Sequence, residues 1–100
     1  MESSVANLPK IDVRAAVGLA QQYFNDLQDM LGYHVEYLRL EEVELSLDKQ
    51  FWLITLRFEH KILSNNPIMM EIALKYVKEY KIFKINAETG EVESMKIREH

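Results

Sequence analysis

Cysteine is absent from this 100-residue chain. That excludes a disulfide framework and thiol catalysis, removes the best zinc ligands, and fits a reducing compartment. Glycine occurs three times and proline twice. No G-x-G-x-x-G and no P-loop is present, so a glycine-rich phosphate cradle is excluded. Charge of one sign is also scarce. Twelve Lys and Arg stand against sixteen Asp and Glu, for a net charge of -4, which offers no electrostatic case for nucleic acid. No apolar run approaches the ~20 residues needed to span a bilayer. The polar stretch Met1–Lys10 has no basic segment followed by an apolar one, so it does not read as a signal peptide. The expectation is a cytoplasmic protein with no membrane and no nucleic-acid partner.

A composition of 48% hydrophobic and 28% charged residues is ordinary for a soluble globular domain. The length suits one domain with one modest core. Residues 1–8 read as a disordered lead-in and 9–100 as that domain. Pro9 suits the first turn of a helix. From Ile11 to Leu31, Val13, Ala16, Val17, Ala20, Phe24, Leu27 and Leu31 recur at helical spacing and form one apolar stripe. Gly32 is a good stop signal. Gly18 costs helix propensity, which close approach of a neighbouring backbone would offset.

After Gly32 the period becomes two. Tyr33, Val35 and Tyr37 share one parity, Leu38 and Leu40 the other, and Val43, Leu45 and Leu47 return to the first. A one-residue slip exchanges the faces of a strand, so the switch predicts a bulge near Glu41-Glu42. Asp48-Lys49 reads as a turn. Trp52, Ile54, Leu56 and Phe58 then alternate with Phe51, Leu53, Thr55 and Arg57, and the first four are expected in the core. Ser64-Asn65-Asn66-Pro67 is a loop signal. Residues 68–79 fit a helix or an extended arm, and the reading taken is a loop with a short helical turn. The tail, Tyr80-Lys81-Ile82-Phe83-Lys84-Ile85-Asn86-Ala87-Glu88-Thr89-Gly90-Glu91-Val92-Glu93-Ser94-Met95-Lys96-Ile97, is a strand, a turn closed by Gly90 and a return strand. The expected fold class is α+β: one long N-terminal helix on a curved four-stranded antiparallel sheet, in the order α-β-β-β-β.

The Trp-containing strand Phe51-Trp52-Leu53-Ile54 and the hairpin Ile85-Asn86-Ala87-Glu88-Thr89-Gly90-Glu91-Val92 resemble a PepSY-type module. Such modules carry a Trp-centred strand and a "vDa-x-TG-x-V" hairpin. The arrangement from about Ile11 onward is similar to cystatin-like folds, in which a curved sheet grips one helix. Small bacterial proteins with an "AETGEV-x-SMKIR" tail are also similar. The chain departs from the PepSY pattern at Asn86, where Asp is usual, and in its longer 61–79 segment; such modules are commonly exported, whereas Met1–Lys10 does not read as a leader. The resemblance implies the fold and an interaction or inhibitory role.

Catalytic chemistry is sparse. His34, His60 and His100 lack metal-ligand spacing. Glu59-His60 could form half of an acid/base pair, and its plainer reading is a solvated strand end. Glu41-Glu42-x-Glu44 lacks the spaced oxygens and glycine of a calcium loop and reads as a charged, solvated strand face. Ser46, Ser64 and Ser94 have no nucleophile-elbow context. Lys75, Lys78, Lys81, Lys84, Lys96 and Arg98, near Tyr76 and Tyr80, suggest single-stranded nucleic acid. The interleaved Glu79, Glu88, Glu91, Glu93 and Glu99 favour cross-strand Lys–Glu pairing instead. The expectation is a non-enzymatic protein-interaction or regulatory module with no cofactor and no metal. Its partner is another protein or a second copy, docked through Ile68, Met69, Met70, Ile72 and Tyr76, where adaptable Met side chains suit a binding surface. The alternative is a hydrophobic-ligand site or minimal enzyme in the helix–sheet concavity, with Thr55, Tyr23 and Tyr37 as its few polar groups.

Overall fold

The computed structural model describes residues 9–66 and 71–98. Helix α1 spans Val13–Asp26, and a single further turn, α2, spans Gln28–Leu31. Strands β1 (Val35–Leu45), β2 (Phe51–Asn66), β3 (Glu71–Asn86) and β4 (Val92–Ile97) form one open antiparallel sheet in sequence order. The α+β class is therefore as expected. The disordered lead-in assigned to residues 1–8 lies outside the described residues.

The helix starts two residues later than expected. Asp12, not Pro9, makes its N-terminus: the Asp12 carboxylate accepts from the Ala15 amide at 2.8 Å, satisfying one otherwise orphaned donor. The stripe does not run as one helix to Leu31. At Leu27 (φ -101°, ψ 0°) the amide bonds back to the Phe24 carbonyl, and the chain restarts for one turn. Gly32 closes that turn in the left-handed conformation at φ 85°. Gly18 does not serve a backbone contact: a Cβ placed there meets nothing within 4 Å.

Ala16, Ala20 and Phe24 are the fully buried face of α1. They pack on Ile54, Leu56 and Phe58 of β2 and Phe83 and Ile85 of β3. Phe24 lies 4.9 Å from Phe58 and 6.1 Å from Phe83, ring centre to ring centre. Each such side chain contributes roughly 1.5–3 kcal/mol on burial. Trp52 packs at the core margin, and its indole N–H donates to the Ile11 carbonyl at 2.7 Å. The Ile11 amide donates to the Ala87 carbonyl at 2.8 Å. These two bonds tie the helix entry to both hairpins.

The closing hairpin is built by Asn86. Its side-chain oxygen accepts from the Glu88 and Thr89 amides at 2.9 and 3.0 Å, and its carbonyl accepts from Gly90 at 2.8 Å. Asn86 thus makes the side-chain turn that Asn and Asp both favour. Gly90 has φ 81°, and a Cβ there would lie 3.1 Å from the Leu19 side chain. The backbone angle favours glycine, and any added Cβ would also press on the Leu19 methyl.

Strand β1 slips against β2 twice, once between Leu40 and Glu42 and again between Glu36 and Arg39. The first is the expected bulge. The second sits at Tyr37, whose φ is 57°. Residues 71–79 are strand rather than a loop with a helical turn, and residues 64–66 continue β2 through the expected loop signal. Their backbones pair throughout, from Glu79 opposite Phe58 to Glu71 opposite Asn66. The helical spacing in this stretch yields to a partner strand that satisfies every second amide. The result is an elongated body, 72 × 25 × 17 Å with a radius of gyration of 17.7 Å, against about 13 Å for a compact chain of this length.

Candidate functional site

Strands β2 and β3 outrun the rest of the fold. Strand β1 begins at Val35, opposite His60, and β4 ends where the Arg98 amide bonds the Tyr80 carbonyl at 3.0 Å. Among the described residues, 61–66 and 71–76 therefore pair only with each other, and 77–79 pair with β2 alone. They form a two-stranded arm about 20 Å long at ~3.3 Å per residue. Tyr80 turns its carbonyl toward β4, so Tyr76 and Lys78, of the same parity, turn their backbone polar groups to the open edge.

At the arm's base, on the helix side of the sheet, His60 is only 6% exposed. It is not a solvated strand end, and its carboxylate is Glu79, not Glu59. The His60 Nε2 and a Glu79 carboxylate oxygen are 2.5 Å apart across the strand pair. Tyr33 stacks on the imidazole with ring centres 3.8 Å apart and 14° between planes. Burial, and secondarily the Glu79 charge, raise the Tyr33 pKa above its ordinary value. The His60 Nδ1 is buried without a hydrogen-bond partner. Tyr33 and Phe58 cover the imidazole, while the Glu79 side chain stays partly exposed, so the pair ties β2 to β3 at the arm root.

On the other face, Tyr37 is 58% and Tyr76 48% exposed, with ring centres 6.3 Å apart. The Lys61 ammonium lies 5.5 Å from the Tyr76 ring centre and 3.7 Å from Glu36. Hydrogen bonding to Tyr76, followed by the Glu36 charge, raises its pKa. This cluster of Glu36, Tyr37, Lys61 and Tyr76 was legible only in part. The bulge at Tyr37 re-aims that side chain, and its one signal in the sequence is the parity change from Tyr37 to Leu38.

Of the five docking residues expected from the sequence, Tyr76 lies on this outer face and Ile72 lies on β3 opposite Asn65. Ile68, Met69 and Met70 lie outside the described residues. The three polar groups expected in a helix–sheet concavity do not converge. Tyr37 and Thr55 are on the face turned away from α1, because Thr55 alternates with the core residues Ile54 and Leu56. Tyr23 packs edge-on to Phe83 at 6.3 Å. An open depression of about 400 Å³ is lined instead by Gln28, Asp29, Gly32, Tyr33 and His34. Glu42 and Glu44 stand on the outer face and are exposed. Among the described residues, no group of three His, Cys, Asp or Glu could hold a metal ion. None of their helices is long and apolar enough to cross a membrane.

No family model, no curated protein and no solved structure matches the chain.

Proposed function

We propose that the protein is a non-enzymatic interaction module that docks a protein partner, or a second copy, through the β2–β3 arm. One observation carries this reading: the arm leaves a strand edge on each side with unpaired backbone groups. An isolated two-stranded ribbon is marginal in water, and an added strand satisfies the open edge. Lys75 and Lys78 blunt the β3 edge against indiscriminate pairing. The exposed Tyr37–Tyr76 pair beside that edge supplies amphipathic contact area of the kind that dominates binding energy. The PepSY-like and cystatin-like resemblance points the same way, toward a regulatory or inhibitory role.

The test is removal of Asn66–Leu74, which leaves Leu63-Ser64-Asn65 as a three-residue loop between the paired Ile62 and Lys75. The shortened chain is expected to keep its circular dichroism and thermal transition. It is also expected to lose a partner retained by the tagged full chain, or a dimer mass seen in sedimentation. A full-length chain that sediments as a clean monomer and retains no partner overturns the reading.

A further inference from the structure

Cross-strand register sorts the charges of the outer sheet face into rows. One row crosses all four strands: Arg39 opposite Arg57, Arg57 opposite Tyr80, and Arg98 bonded to the Tyr80 backbone. The flanking rows hold Glu36, Glu59 and Lys78 on one side and Glu42, Thr55, Ile82 and Lys96 on the other. Like charges directly opposite each other destabilise a sheet, so Arg39 facing Arg57 calls for a counter-charge.

Among the described residues, the carboxylates of the flanking rows are turned to other cations or lie beyond ion-pair distance. Arg98 reaches across the face to Glu42, its Nη1 at 3.3 Å making a charge contact without hydrogen-bond geometry, and lies over the Tyr80 ring at 5.4 Å. Thr55, between Glu42 and Ile82 in the next row, is 4% exposed on a face no helix protects. Glu36 holds Lys61 at 3.7 Å, and Glu59 sits opposite Lys78. Among the described residues, neither Arg39 nor Arg57 has a carboxylate within ion-pair distance. The Arg57 Nε is buried and has no acceptor. Two arginines in directly opposed strand positions are thus left without a carboxylate partner, one exposed and one half-buried.

We propose that Arg39 and Arg57 together bind a phosphate dianion. Two guanidinium charges match a group of charge near −2, and each fork can donate two N–H bonds to phosphate oxygens. A carboxylate would neutralise only one of them. The twin bulges of β1 make the pair, because the slip at Tyr37 is what sets Arg39 opposite Arg57. The site lies on the sheet face, apart from the arm edge, and stands or falls independently of it.

The test is NMR titration of the full chain, following the arginine Nε–H signals. The probe is N-acetyl-phosphoserine amide at pH 7.5, above its second pKa of about 6. N-acetyl-glutamate amide at equal ionic strength is the control. The phosphate probe is expected to shift the Arg39 and Arg57 signals and to bind about tenfold more tightly than the glutamate one. Arg39→Gln, at an exposed position that does not threaten the fold, and Arg57→Gln should each weaken it about tenfold; Lys96→Gln should change it less than about twofold. Arg57→Lys, which keeps the charge and loses the fork, should fall between. Equal binding of the glutamate probe, undiminished binding by Arg39→Gln, or no response overturns the proposal. Adenosine monophosphate in a parallel titration separates the carriers: tighter binding than phosphoserine assigns the phosphate to a nucleotide, weaker binding to a peptide, and both support the site.

Discussion

The same two strands live two different lives along their length. Between Trp52 and Phe58, β2 has a partner on each side and a helix on one face, and its Ile54, Leu56 and Phe58 are fully buried. Beyond His60 it has one partner, and Lys61 and Ile62 are exposed. Backbone pairing is continuous through both regions. The difference is what the side chains can bury, and burial is what turns a hydrogen-bonded ribbon into a stable element. The His60–Glu79 pair under Tyr33 marks the boundary, the last point at which the sheet is covered.

The comparison can be broken by substitution. In the body, Phe58→Ala removes a ring packed on Phe24 and should cost about 3–5 kcal/mol, read by chemical denaturation. If Tyr76→Ala in the arm costs as much, the two regions are one cooperative core; the expected value is within about 0.5 kcal/mol. Hydrogen exchange sharpens the same contrast. Amides of 54–58 and 81–85 should exchange only by global unfolding, and those of 75–78 by local opening.

Smaller effects test the joints. Gly90→Ala meets both a positive φ and the Leu19 contact, and should cost about 1–2 kcal/mol. Glu79→Gln takes the charge from the latch beside a buried imidazole. An expected loss of about 1–2 kcal/mol, together with faster exchange in the arm, would place the boundary where the structure puts it. Faster exchange in the body instead would move it. The smallest effect belongs to the β1–β2 turn. The Ser46 hydroxyl, then the Gln50 amide, donate to the Asp48 carboxylate and hold its pKa below the ordinary value. A depressed folded-state pKa stabilises above the unfolded-state pKa and is lost as pH falls through the folded value. Asp48→Asn should therefore flatten the acid limb of the stability profile slightly, with no change at neutral pH in the slope against pH.

Much of the body was legible in the sequence. The α1 stripe, the alternation Trp52 to Phe58, Gly32 and the Asn86–Gly90 turn are local signals, each readable within a few residues because helix, strand and turn have their own periods and backbone angles. The arm was not legible. Glu71, Lys75 and the residues between them satisfy a helical pattern as well as an extended one, and the outcome rests on β2 standing alongside. The site was legible only as Tyr76. His60 was misread as solvated because its cover comes from Tyr33, 27 residues earlier, and its carboxylate from Glu79, 19 residues later. Arg57 was legible only as an outward position, since nothing in either strand alone says that it will face Arg39.

By itself, the sequence determined that the chain makes one helix and a set of antiparallel hairpins around one apolar face. It determined the turn chemistry at Asn86 and Gly90 as well, because those choices are local. Tertiary structure alone decided where the sheet runs past its helix, which charges share a face, and which strand edge stays open. Those depend on register, and register is a sum over pairs of strands that no single segment carries.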